Sequence, residues 1–286
     1  MKKKNKKFVK LKKVLAGFMA LVLVIGLTIV GTLAWLSTQS NSVTNVFTAT
    51  DNIYLTLVEP DYDSGEASNY KPDGTISKNP YLVNTTGDDS SEWVMIRVDY
   101  LTKEGQEISF KNAARADLEG KLFTLENYLG AGWKKIDTTV YNDLNMSQVV
   151  DASGNKAANA KCEFYVYNKA LTGSTNVGSA YRTQQALETG IKDSLSVPDT
   201  AKTTPLFTSV KISSQETLTT NGYSMDVLPK FNIVIQGAAV KNEGDDAGMS
   251  TDLNFTSTTD KTKAIVQKLV DLLATKAPDA STGQHK

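Results

Sequence analysis

The sequence predicts a mostly β fold: an antiparallel, jelly-roll-like β-sandwich with inserted helices and a C-terminal helix, preceded by an N-terminal signal helix. Three observations carry this expectation. Short runs rich in Val, Ile, Tyr, Phe and Trp recur over residues 53–237, separated by polar turns. One late segment, residues 261–276, places apolar side chains at helical spacing. The chain opens on a lysine-rich stretch that runs into a long apolar one.

The N-terminus comes first. Eight lysines lie between Lys2 and Lys13 with no acid among them. The apolar run, residues 14–36, ends in Gly31-Thr32-Leu33-Ala34-Trp35. A basic region, an apolar region and small residues at Thr32 and Ala34 form the pattern of a secretory signal, cleaved after Ala34 to leave Trp35 first. The run of 23 residues is also long enough to cross ~30 Å of hydrocarbon at ~1.5 Å per residue, so a retained anchor is the alternative. In either case the lysines hold the N-terminus in the cytoplasm and the remainder lies outside.

Charge narrows the partners. Residues 1–34 hold 8 of the 31 basic residues and none of the 31 acids, so the remainder carries 23 basic against 31 acidic residues, a net −8. A negative exterior excludes nucleic acid as the expected partner and suits a soluble exported chain. The remaining 252 or so residues are enough to bury a core without disulfides. The lone Cys162 cannot form an intramolecular bridge and reads as a buried small hydrophobe.

Residues 35–50 are rich in Ser, Thr and Asn, with spaced Leu36, Val43, Val46 and Phe47, and predict an extended arm. Residues 53–58 read as the first strand, 61–74 as a polar loop and 80–84 as a second strand. In the third, residues 93–100, Trp93, Met95, Arg97 and Asp99 face one way and Val94, Ile96, Val98 and Tyr100 the other. One apolar and one mixed face is the pattern of a sandwich strand. Further strands are expected at 133–136, 163–167, 209–212 and 230–237, and weaker helices at 113–129 and 182–195 as insertions. The organisation expected is a signal or anchor over 1–34, an arm over 35–50, one sandwich domain over 51–276 and a disordered tail over 277–286.

The chemistry that is missing matters as much. The single histidine, His285, stands next to the last residue, where it cannot serve as an oriented base. There is no His-Glu-x-x-His and no phosphate-binding glycine loop. Acid clusters at Asp61/Asp63/Glu66, Asp88/Asp89/Glu92 and Glu243/Asp245/Asp246 do not follow the twelve-residue calcium loop. They read as solvated turns, with a weak surface calcium site as the alternative. No catalytic residue, cofactor or metal ligand is assigned, and an enzyme is not expected.

Several segments, taken in order, resemble one family. Gly31-Thr32-Leu33-Ala34-Trp35-Leu36-Ser37-Thr38 followed by Asn45-Val46-Phe47-Thr48-Ala49 is similar to exported proteins of Gram-positive bacteria processed by a SipW-type signal peptidase, the TasA/camelysin family. Lys78-Asn79-Pro80-Tyr81-Leu82-Val83-Asn84 with Trp93-Val94-Met95-Ile96-Arg97-Val98 resembles the family's strand pair. Tyr165-Val166-Tyr167-Asn168-Lys169-Ala170-Leu171, then Thr204-Pro205-Leu206-Phe207-Thr208-Ser209-Val210, continue the likeness, and Phe231 to Val240 fits the last core strand. The long insertion between Leu171 and Thr204, the C-terminal helix and the tail fall outside it.

The resemblance implies a jelly-roll matrix protein that assembles into extracellular fibres supporting biofilm. Its partners would be further copies of itself, the SipW-type peptidase, and other matrix components or the cell envelope. The arm is compatible with this. Freed by cleavage, it could add as a strand to a neighbour's sheet edge, with Leu36, Val43, Val46 and Phe47 entering the neighbour's grooves. A flexible linker or the molecule's own edge strand is the plainer reading of the same residues. A membrane-tethered adhesin or fibre anchor and a camelysin-like hydrolase are the alternative functions. The hydrolase lacks any histidine-based zinc site to support it.

Overall fold

The computed structural model describes residues 53–87, 90–103, 110–136, 144–151, 153–224, 228–242 and 260–274. The expected signal, arm and tail lie outside them. Within them the chain is mostly β and forms three antiparallel sheets curled into a half-barrel, with a helix at the C-terminal end.

The first sheet pairs β1 (Leu55–Val58) with β3 (Tyr81–Asn84). The second runs β2 (Thr75–Ser77), β10 (Ser209–Ile212), β6 (Phe123–Glu126). The third is ordered β11 (Lys230–Lys241), β4 (Ser91–Lys103), β8 (Glu163–Tyr167), β7 (Trp133–Lys135). Two short strands, β5 (Lys111–Ala113) and β9 (Leu171–Thr172), also pair with β4. The long pair β4 and β11 is in register from Lys103↔Lys230 to Glu92↔Lys241.

Alternation assigns the faces of β4. Val94, Ile96, Val98 and Tyr100 join Ile233 and Ile235 of β11 and Tyr165 of β8, and pack on Leu55, Leu57, Leu82, Phe123 and Val210 of the two smaller sheets. Gly237 permits this closeness: a Cβ there would meet Leu82 Cδ2 at 2.7 Å. The opposite, mixed face is covered as well. Trp93, Met95, Phe164, Val166, Ala238 and Val240 are covered by Val266, Leu269, Val270 and Leu273 of the C-terminal helix α5, defined below. Both faces of β4 are therefore buried, and Arg97 and Asp99 are fully buried with them.

Among the described residues five α-helices decorate the sheets: α1 (Ser64–Ser68), α2 (Arg115–Leu118), α3 (Gln184–Lys192), α4 (Gln215–Thr220) and α5 (Asp260–Ala274). The helices expected at 182–195 and 261–276 are present as α3 and α5. The loop expected over 61–74 contains α1, which starts because the Asp63 side chain accepts from Gly65 N and Glu66 N. The helix expected over 113–129 is corrected. Only α2 is helical there; Ala113 ends β5, Phe123–Glu126 forms β6, and turns fill the remainder. The chain turns at Gly120, φ +72°, whose N–H bonds to Phe123 O, and Phe123-Thr124-Leu125-Glu126 then alternates against β10.

The insertion after β9 folds as α3 with short 3-10 turns. It closes a separate small core of Val58, Val83, Val177, Leu187, Val197 and Ala201 on the outside of the first sheet. Cys162 is half-buried against the helix-covered core. Burial pushes its thiol up to about 12, so it stays protonated and unreactive.

Candidate functional site

The residues singled out in the sequence, Thr32, Ala34 and Trp35 at the cleavage point and Leu36, Val43, Val46 and Phe47 in the arm, lie outside the described residues. What the structure does place are the sheet edges, a tyrosine–glutamate cluster and two buried ion pairs.

Among the described residues the sheets have ends. The three-stranded sheet ends in β2 and β6, and β7 ends one side of the largest sheet. These are short, and β7 carries exposed Lys134 and Lys135, which discourage a second chain from pairing. On the other side the sheet order ends in β11, twelve residues long. It is apolar over most of its length and buried from Asn232 through Val240. By length and composition β11 is the strand best suited to a strand-shaped partner.

The densest polar chemistry sits at the β7–β8 side. The Tyr165 hydroxyl donates to the Glu163 carboxylate, and Lys135 ion-pairs with the same carboxylate. Arg115 Nε lies 3.2 Å from Glu163 Oε2, and its Nη1 is 3.3 Å from Glu119. The Arg115 guanidinium stacks 4.2 Å over the Tyr128 ring. The Tyr128 and Tyr165 hydroxyls are 2.8 Å apart. Burial pushes the Tyr100 and Tyr165 hydroxyls well above their ordinary range, so they remain neutral donors. The Glu163 carboxylate is engaged by three donors at once. The arrangement clamps α2, Tyr128 just beyond β6, β7 and β8 together.

Two buried ion pairs complete the inventory. Arg97 Nε and Nη2 grip Asp99 at 2.7 and 3.1 Å, Nη1 donates to Leu273 O at 2.8 Å and Nη2 to Val150 O at 2.7 Å. Asn112 Nδ2 completes the Asp99 side at 3.0 Å. Burial alone would lower the Arg97 pKa, but Asp99 and its neighbours outweigh it and raise it, so the charge persists. Leu273 O lies in the last turn of α5, where a cation complements the helix dipole. The second pair joins Lys78 and Glu59 at 2.6 Å, with Lys78 also 5.0 Å from the Tyr62 ring.

The acid cluster at 61–66 is occupied locally. Asp61 pairs with Asn79, Asp63 caps α1, and Glu66 accepts from Ser77 N. Of the second cluster only Glu92 is described, and the third lies outside the described residues. Among the described residues no three His, Cys, Asp or Glu side chains converge on one metal position. The sequence hinted at the Arg97–Asp99 pair through their two-residue spacing on one strand face. It gave no sign of the tyrosine–glutamate clamp, whose members come from distant segments.

No protein-family model, no curated protein and no solved structure matches this chain.

Proposed function

We propose that this chain is a non-catalytic, exported structural protein of the extracellular matrix or cell surface, of the TasA/camelysin type, and that it assembles into fibres by adding a strand of one subunit to the next. On this reading its half-barrel is a jelly roll. The observation that carries the proposal is that, among the described residues, the largest sheet ends in β11, twelve residues long. The arm, residues 35–50, precedes β1 in sequence and is long enough to run along such an edge. Main-chain hydrogen bonds would supply affinity, while Leu36, Val43, Val46 and Phe47 would supply fit. Addition of one subunit's arm to the next subunit's edge is head-to-tail and does not close, so it produces filaments.

Export precedes assembly in this account, with a SipW-type peptidase releasing the chain at Trp35. The length of the apolar run, 23 residues, favours one alternative: a retained anchor that makes the chain a surface attachment point for fibres. N-terminal sequencing and intact mass of the protein from culture supernatant and envelope decide between them. A mature start at Trp35 outside the cell is the expected result. An intact N-terminus found only in the membrane fraction would replace the fibre subunit with the tethered form.

A further inference from the structure

We infer that the cleft between the β8–β9 turn and residues 199–205 is a binding site for an acidic saccharide, a sugar ring carrying a carboxylate. The cleft holds about 610 Å³, inside the range of about 300–1,000 Å³ typical of small-ligand sites. Part of its lining is apolar: Tyr167, Ala170, Leu171 and Pro205. A pyranose presents an apolar C–H face to such a surface. Neither this cleft nor its ligand depends on the fibre reading above.

The walls are rigid before any ligand arrives. Thr203 N donates to Leu82 O at 2.9 Å, and Leu82 N returns a bond to Thr203 Oγ1 at 3.0 Å. Thr204 Oγ1 donates to Ala131 O at 2.6 Å, and Trp133 Nε1 donates to Thr204 O at 2.8 Å. Tyr167 is held edge-on against Trp133 at 5.1 Å between ring centres. Preorganised walls reduce the ordering cost of binding.

The uncommitted groups define the ligand. Lys169 is exposed and makes no ion pair or side-chain hydrogen bond among the described residues. Lys202 pairs only with Asp199 at 3.1 Å, whose side chain is 97% exposed, so that bond exchanges readily for a ligand carboxylate. Thr172 and Thr200 line the same cleft and offer hydroxyls able both to donate and to accept. Two ammonium groups, two hydroxyls and an apolar lining match one carboxylate, several hydroxyls and a flat carbon face. Inorganic phosphate could use the ammonium groups and accept from the hydroxyls, but it has no carbon face for the apolar lining. The cleft is thus a cationic spot on a chain whose residues after 34 total −8.

The test is two-dimensional NMR of the ¹⁵N-labelled full chain titrated with glucuronate, glucose, sodium phosphate and an N-acetylated aspartate amide. Glucuronate should move the amides of residues 169–172 and 199–204 saturably, and the other three should bind at least about tenfold more weakly, as expected when a charge-assisted bond or the ring contact is lost. The double variant Lys169→Gln, Lys202→Gln should weaken glucuronate by about tenfold or more with the rest of the spectrum unchanged. Equal response to phosphate would reduce the cleft to a general anion spot, and equal response to the aspartate amide would make it an acidic-peptide site; either overturns the inference. So does the absence of any shift in these residues. Because Lys169 is exposed, Lys169→Gln alone provides a folded control if the double variant is unstable.

Discussion

Arg97 is held by four polar contacts in a place where water cannot replace any of them. Truncating it leaves the Asp99 carboxylate and two carbonyls buried with one partner fewer each, and breaking a buried pair in this way costs about 3–5 kcal/mol. Arg97→Ala should therefore lower the urea midpoint by that equivalent, and a midpoint within experimental error of the parent would show that the network contributes nothing. Glu92 is the opposite case. Its side chain is fully buried, and neither carboxyl oxygen has a hydrogen-bond partner among the described residues. Burial pushes its pKa well above 4.5, so the folded state holds the proton that the unfolded chain releases. The stability tied to this proton is whole below the ordinary glutamate range. It declines as pH rises through the window between that range and the raised folded value. Glu92→Gln should flatten the fall of Tm across that window and raise Tm at its upper end. An unchanged Tm–pH profile would mean the carboxyl finds a partner. The sequence marked Glu92 only as part of an acid cluster, because burial at the end of a long strand comes from the layers around it.

Elements were legible where pattern and environment agree. Seven of the strands read from alternation, and the helices at 182–195 and 261–276, stand close to where β-propensity and apolar spacing place them. The segment 113–129 misled because Leu118, Leu122 and Leu125 are spaced three and four apart, as on a helix face. Gly120 and the pairing of Phe123–Glu126 with β10 decide for a strand instead. The short strands β2, β5 and β9 were not read, since two or three residues carry no period and, unlike β7 with Trp133, they hold no aromatic residue. The two-sided burial of β4 was hidden for a different reason: alternation reports which side chains share a face, and only α5 determines that the second face is covered. Leu269, fully buried in α5 against that face, tests the covering. Leu269→Ala should cost about 2–5 kcal/mol, read as a lowered denaturation midpoint. A cost below about 1 kcal/mol would mean the helix rests loosely on the sheet.

At the scale of the whole molecule, three sheets among the described residues share one core and curl into a half-barrel, and a fold with ends can be extended. The tyrosine–glutamate clamp and the lysines of β7 stiffen and guard one side, while β11 gives the other side its length. The central claim is that subunits join through the segment before β1. Negative-stain electron microscopy and sedimentation of the chain beginning at Trp35, compared with one lacking residues 35–50, test it most directly. The account predicts filaments from the first and monodisperse, equally stable monomers from the second. Filaments from the shortened chain, or none from the chain that keeps the arm, would contradict it.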